Sequence, residues 1–518
     1  MLHPRGTRIL SRDLWLSAGA ILGYLAVAKL LVHVLTSTGY GYFVDELYYL
    51  AMVKHLDFGY VDVPPAVPAL MAISNSILGT SLSSLHLFPA LAGAATVAIA
   101  GLIAREMGGG RFAQVLAALF VLVAPVWLVL DSWFAYDAFD QLATAMLFYV
   151  WVLLMKEETP RRWVALGLVA GLGFLTKLST AFTCPALGLA LLLTWRRRSL
   201  ATRWPWIAVA IAALVASPFV AWQAIHGWPI LTYLPNYAQY RTHQDPTAFV
   251  TDLLTFVNPL AAPVLLIGLA GLLVRRDLEN FRTIGLAFVI LLAGFTAILH
   301  TEARMLASAC LPLLAAGAVV VERMLQGGRR RWIKPAYVML LAASGMWFAP
   351  LVLPMAGEPA IVAASQPQAK TPLPDYFAMR EGWPEMVQEV AAVYGSLPEA
   401  DRKQAVILAG TYAEAGAIDF FGGQYGLPAA ISNDLGFQVW GPGPLRGDVV
   451  IAFGVRFTDS DAAAAGTVPL QKLWDEVVPV DTIRGPNSSP WEQNVPVFIC
   501  RHPRVSLQEM WATLEFYY

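Results

Sequence analysis

The stretch LWLSAGAILGYLAVAKLLVHVL, residues 14–35, decides the fold class. A bilayer-crossing helix needs roughly 20 predominantly apolar residues, and this run supplies them. Arg5, Arg8 and Arg12 precede it, as positive charge precedes the apolar core of a secretory signal, but the run is too long for one and no small-residue cleavage pattern follows. It reads as a retained first transmembrane helix. Lys29 and His33 lie inside it one turn apart, a spacing that suits residues facing a bundle interior or snorkelling.

Further runs suited to spanning lie at Leu85–Ala104, Phe112–Leu130, Ala138–Met155, Trp163–Leu175 and Thr180–Trp195. Others follow at Trp204–Trp222, Pro259–Val274, Thr283–Leu299, Leu306–Val321 and Ala336–Leu353, for about eleven helices in all. Over 518 residues, 57% hydrophobic and 14% charged, the composition excludes an ordinary soluble domain, and a net charge of -1 offers no basic excess for nucleic acid. Cys184, Cys310 and Cys500 are far apart and imply no disulfide framework.

Lys and Arg are segregated between alternate connections. One set carries Arg105, Arg111, Lys156, Arg161, Arg162, Arg196 to Arg198, Arg203, Arg275, Arg276, Arg282, Arg329 to Arg331 and Lys334; the other has Lys54, Lys177, Arg241 and Arg304. By the positive-inside rule the first set and the N-terminus are cytoplasmic, so an odd number of spans puts the C-terminus outside. The expected location is a bacterial inner membrane, crossed many times.

Beyond Pro354 the composition turns to Pro, Gly and acidic residues with short β-type runs at Ala405–Ala409, Asp448–Phe453 and Val495–Ile499, and a helix at Tyr412–Phe421. The expected architecture is therefore an all-α polytopic membrane domain, residues 1–353, followed by a small α/β extracytoplasmic domain, residues 354–518, entered through a Pro-rich linker near Glu358–Pro374.

The sparse exterior connections carry the unusual side chains. Asp45 and Glu46 sit among Tyr42, Phe43, Tyr48 and Tyr49, followed by His55, Asp57 and Asp62. Carboxylates near lipid are costly and mark function, so one of this pair is a candidate base; the alternative is that both cap or solvate an interfacial helix within an aromatic belt. Asp131, Asp137 and Asp140 stand at the junction of two spans, and Asp137 and Asp140, three apart, share a helix face. Capping by Asp137 is the alternative there.

Lys177, in an apolar hairpin, pairs with a lipid phosphate or snorkels to headgroups. Glu302 and Arg304 precede one helix and Arg241 lies in a long loop; each arginine stays charged and can grip a phosphate or anchor to anionic lipid. His243 with Asp45, Asp62 or Asp137 lacks any standard ligand spacing, so no metal is expected and no cofactor is required. A transporter or flippase would also have many helices with buried charge, but it usually carries its polar residues near the midplane, whereas here they gather at one face. A silent glycan-binding scaffold is a third reading. Tyr412, Glu414 and Asn433 offer sugar-lining side chains in the exterior domain, which otherwise acts as a cap.

An N-terminal helix followed by Asp45-Glu46, then Phe58-Gly59-Tyr60-Val61-Asp62-Val63-Pro64-Pro65, the Asp137 loop and the Thr176-Lys177 hairpin resembles the GT-C glycosyltransferases, in particular bacterial members related to protein O-mannosyltransferases and the lipid A aminoarabinose transferase. The resemblance implies a polyprenyl-phosphate sugar donor, a glycolipid, lipid A or protein acceptor, and inversion at the anomeric carbon. It carries the acceptor-activating carboxylate onto Asp45 and the second-loop aspartate onto Asp137. The expected catalytic set is Asp45, Glu46 and Asp137; the expected substrate contacts are Tyr48, Asp62, Asp140, Lys177, Arg241, Glu302 and Arg304. Val63 stands where the aminoarabinose transferases have a phosphate-contacting lysine, so Lys177, Arg241 or Arg304 supplies that charge.

Overall fold

The computed structural model describes residues 17–240, 245–296, 302–326, 332–355, 376–454, 470–485, 488 and 492–514. Arg241, His243 and the Glu358–Pro374 linker lie outside these residues. Among the described residues, six helices are long and apolar enough to cross a membrane: Ala18–Thr36, Leu82–Glu106, Tyr136–Lys156, Trp204–Ile225, Arg304–Met324 and Ile333–Val352. The chain is a multi-pass membrane protein. The described parts of the expected runs lie mainly on helix, yet several of those helices, such as Thr180–Leu192 and Ala262–Val274, are shorter than a full span, so the count of about eleven spans is not established.

Two local rules account for the departures. Phe112–Leu130 is two helices, Arg111–Val123 and Pro125–Leu130, because Pro125 has no N–H to continue the first and instead opens the second at its N1 position. The helix Ala66–Leu78 was not anticipated; Pro64-Pro65 stands before it and polar Ser74, Asn75 and Ser76 dilute its hydropathy.

Large apolar side chains such as Leu214, Val274, Met346 and Trp347 are exposed on the bundle's flank, as a lipid-facing surface requires. Inside it, a Cβ on Gly268 would strike the Leu313 carbonyl oxygen and one on Gly317 the Val264 carbonyl oxygen. The helices Ala262–Val274 and Arg304–Met324 thus approach backbone to backbone, the packing that small residues permit where no hydrophobic effect drives association.

The two sets of connections separate to opposite ends. At the basic end Lys156 pairs with Glu106 at 2.7 Å, and Arg196 reaches the Met155 carbonyl and Asn280 at 2.6 and 3.0 Å. At the other end the segments around residues 137, 177 and 304 meet one another, and those around residues 45 and 62 meet the C-terminal region directly or through Tyr48.

That region holds a five-stranded sheet in the order β2-β1-β3-β5-β4, with β1 Ala405–Ala409, β2 Ala430–Ser432, β3 Val449–Phe453, β4 Trp474–Ile483 and β5 Val495–Pro503. β2, β1 and β3 are parallel, and β5 is antiparallel to both its neighbours, β3 and β4. β1 and β3 are buried along their length, matching their unbroken apolar sequences. β4 escapes a sequence reading because it is a mostly exposed edge strand containing Pro479, beside which the register shifts. Cys184, Cys310 and Cys500 are free thiols.

Candidate active site

The first exterior connection folds back as a short helix, Val44–Met52, and one residue step along it separates two carboxylates by roughly 100°. Glu46 turns inward. It is fully buried, accepts from the Phe43 N–H at the helix's own N-cap at 2.8 Å and from the Phe134 N–H at 2.7 Å, and bonds His86 Nε2 at 2.8 Å. Burial alone would raise its carboxyl, but His86, Arg380 and these donors outweigh that and hold it below the ordinary carboxylate range. Glu46 was expected in the catalytic set; these partners also tie the first two exterior connections together through it.

Asp45 turns the other way, toward the gap between the helix bundle and the C-terminal domain. The Tyr412 hydroxyl donates to its Oδ1 at 3.0 Å. Burial pushes its carboxyl up to about 6, with Asp137 and Glu46 adding repulsion against the pull of Tyr412 and Arg304. A buried carboxylate so poised can accept a proton near neutral pH. Asp62 behaves alike: burial, Asp45 and Asp434 carry it up to about 7, and the Tyr48 hydroxyl donates to its Oδ1 at 3.1 Å.

Tyr48, expected to touch substrate, is buried, and its hydroxyl also accepts the Gly436 N–H at 2.8 Å. It joins loop to domain.

Asp137 does not cap its helix, whose N-cap is Ala135. Its carboxylate lies between two cations, Lys177 Nζ at 2.5 Å and Arg304 at 3.9 Å. Asp140, on the same face as the sequence spacing required, accepts from Ser179. Lys177 lies over the Tyr136 ring at 4.4 Å, and Arg304 over that of Tyr376 at 5.4 Å. Glu302 accepts from Arg304 Nε at 2.5 Å, a partner for the guanidinium before any ligand.

A cavity of about 900 Å³ with an almost wholly apolar lining, including Leu147, Trp151, Gly171, Phe174, Thr180 and Ala216, opens beside the hairpin that bears Lys177. A cationic hairpin next to an apolar groove suits an amphiphile with an anionic head.

Sequence reasoning missed three partners. Lys29 and Asp131 form a fully buried pair at 2.8 Å, with Lys29 also donating to the Trp127 carbonyl at 2.6 Å, which accounts for the lysine inside the first helix. Arg380 is buried against both loops, donating to the Gly41 carbonyl at 3.1 Å and the Ser132 carbonyl at 3.5 Å. His86 sits in an apolar helix with nothing local to link it to Glu46. Of the exterior-domain candidates, Tyr412 alone reaches Asp45; Glu414 completes a capping box with Thr411, and Asn433 donates to the Leu514 carbonyl. Among the described residues no three His, Cys, Asp or Glu side chains converge as a metal site.

Residues 62–222 match the dolichyl-phosphate-mannose-protein mannosyltransferase family, a segment that contains Asp62, Asp137, Asp140 and Lys177 and begins after Asp45. A lipid A galacturonosyltransferase of Rhizobium johnstonii is 31% identical over 192 residues, 36% of this chain and 39% of that relative. The structure of ArnT from Cupriavidus metallidurans bound to undecaprenyl phosphate is similar with a TM-score of 0.61 at 14% identity, covering 94% of this chain and 98% of that one. Its apo state gives 0.59 at 14% identity, over 92% and 97%. At that identity the likeness is one of fold. The family match covers about a third of the chain, residues 62–222, and the chain spans 39% of the curated relative's length, while over nearly its whole length the chain shares the fold of ArnT.

Proposed function

We propose that the chain is an integral-membrane glycosyltransferase that moves a sugar from a polyprenyl-phosphate donor to a hydroxyl of a glycolipid or protein, at the periplasmic face of a bacterial inner membrane. The observation that carries the reading is the meeting, at one end of the bundle, of a proton-accepting Asp45 with the cations Lys177 and Arg304 beside an apolar groove. The groove takes the donor's polyprenyl tail, and the cations take its phosphate. ArnT holding undecaprenyl phosphate and the Rhizobium enzyme acting on lipid A support the donor class and favour a lipid A-type acceptor.

The reaction is a single displacement. The acceptor oxygen bonds to the anomeric carbon as that carbon's bond to the phosphate oxygen breaks. Asp45 takes the hydroxyl proton, and polyprenyl phosphate leaves with the electron pair, inverting the configuration. Asp137 and Glu302 keep Lys177 and Arg304 in place until the donor phosphate exchanges for them. The growing negative charge then meets two fixed cations in a site poor in water. Asp62 and Asp140 are left to orient sugar or acceptor hydroxyls.

Transfer from a panel of radiolabelled polyprenyl-phosphate sugars to membrane acceptors, in proteoliposomes of the full chain, tests this. Wild type should transfer at least one sugar, and Asp45→Asn should bind the donor yet transfer more slowly by roughly 10² to 10⁴-fold, the usual worth of a general base. A wild-type protein that binds no donor overturns the reading.

A further inference from the structure

The C-terminal domain touches the first exterior connection through side chains that hold the acidic residues themselves. Tyr412 opens the helix Tyr412–Phe421, whose first turn is fixed by the reciprocal bonds of Thr411 and Glu414 at 3.2 and 2.8 Å. Its N–H donates to Asp434 Oδ2 at 3.1 Å, its ring lies 4.8 Å from that of Tyr48, and its hydroxyl points at Asp45. Gly416, one turn on, lies against the Leu47 backbone, where a Cβ would come within 2.7 Å of the carbonyl oxygen. Gly436 meanwhile donates to Tyr48, which holds Asp62. The domain therefore reaches one acidic residue directly and the other through one intermediary.

We infer that Tyr412 is a positioning residue for the Asp45 carboxylate, and that the C-terminal domain is a working wall of the site rather than a cover over it. The assignment deepens the glycosyl-transfer reading and rests on it for what the carboxylate then does. The groups facing Asp45 are Glu46 and Tyr49 from its own helix, Asp62 from the following loop, Tyr136 and Asp137 from the second exterior connection, Arg304, and Tyr412. Three of these are carboxylates that oppose its ionisation. A hydroxyl fixed by a separately folded helix favours the ionised form and fixes which oxygen stays free for an acceptor proton.

The test follows the Asp45 carboxyl by infrared difference spectroscopy of the full-length protein in nanodiscs, its C=O band assigned by its disappearance in Asp45→Asn. Tyr412→Phe keeps the ring packing and removes one charge-assisted bond, so the titration midpoint should rise by about one pH unit. Gly416→Leu keeps the hydroxyl but forces the domain off the loop, and should move the midpoint in the same direction. An unchanged midpoint in Tyr412→Phe overturns the inference; an unchanged midpoint in Gly416→Leu overturns the part assigned to domain seating. In the transfer assay the acidic limb should move with the band. A wild type that transfers no sugar leaves the spectroscopic answer standing and counts only against the proposed reaction.

Discussion

Asp45 and Glu46 are neighbours in the chain and opposites in the fold. Glu46 belongs to a more nearly saturated region: its oxygens are taken by two backbone N–H groups and His86, and Lys29 and Asp131 are paired nearby with no exposure at all, although Asp131 Oδ1 has no hydrogen-bond partner among the described residues. Asp45 belongs to an under-satisfied region, with one hydroxyl on one oxygen and carboxylates outnumbering the cations around it. Both regions are expensive to desolvate. The first resolves that cost internally and so fixes the two exterior connections against each other; the second keeps a raised proton affinity at Asp45 beside two cations held by Asp137 and Glu302.

The largest effect that would break this comparison is on transfer. Asp45→Asn should slow transfer by roughly 10² to 10⁴-fold while leaving folded yield and thermal unfolding near wild type, and Glu46→Gln should do the reverse, lowering the yield of folded protein by weakening a buried network. Equal loss of transfer in a fully folded Glu46→Gln would show that the saturated region is not merely a strut. Next in size, Lys29→Met strands the buried Asp131 and should destabilise by about 3–5 kcal/mol, whereas Lys29→Met with Asp131→Leu should recover most of that. Thermal unfolding in detergent reads both, and a double variant as weak as the single one contradicts the pairing.

Proton dependence sharpens the same contrast. Asp45 is raised from 3.8 to about 6, so the base is ionised above that pH and transfer should fall as pH drops through about 6. Its effect on stability has the opposite sense: the fold favours the protonated carboxyl, so that contribution is fully present below pH 3.8 and is lost as pH rises through about 6. Asp45→Asn should flatten this slope, and a slope unchanged by the substitution would show that another group titrates there.

How much of this was legible in the sequence follows the same division. Hydropathy marks every expected span, because each must bury its backbone bonds within one apolar run. It does not say which runs are broken by Pro125 or stop short of a full crossing. The parallel strands β1 and β3 were legible from unbroken apolar runs and the helix Tyr412–Phe421 from its residue pattern; β4, exposed and with a register shift beside Pro479, was not. The acidic pair could be located but not divided, since which carboxylate turns inward depends on His86, 40 residues away, and on Phe134, 88 away. Asp137 and Asp140 were legible as one face because their spacing is local, but Lys177 became a partner of Asp137 only through the packing of two helices. Tyr412, 367 residues from Asp45, carries no local signal of its contact.

The smallest expected effects come from setting Lys177 against a pair of similar geometry far from the site. Arg501 and Asp401 approach to 3.1 Å beside the sheet with about a quarter of each side chain exposed, whereas Lys177 and Asp137 are 17% and 10% exposed at 2.5 Å. Arg501→Gln breaks a pair that water already screens, so it should cost under about 1 kcal/mol and leave transfer within about twofold of wild type. Lys177→Gln removes a cation that the donor phosphate is proposed to need, so the donor KM should rise by about tenfold or more while unfolding changes little. Two ion pairs of comparable appearance would then separate by function alone. If Lys177→Gln changes KM no more than Arg501→Gln does, the hairpin lysine serves Asp137 and the phosphate is held elsewhere.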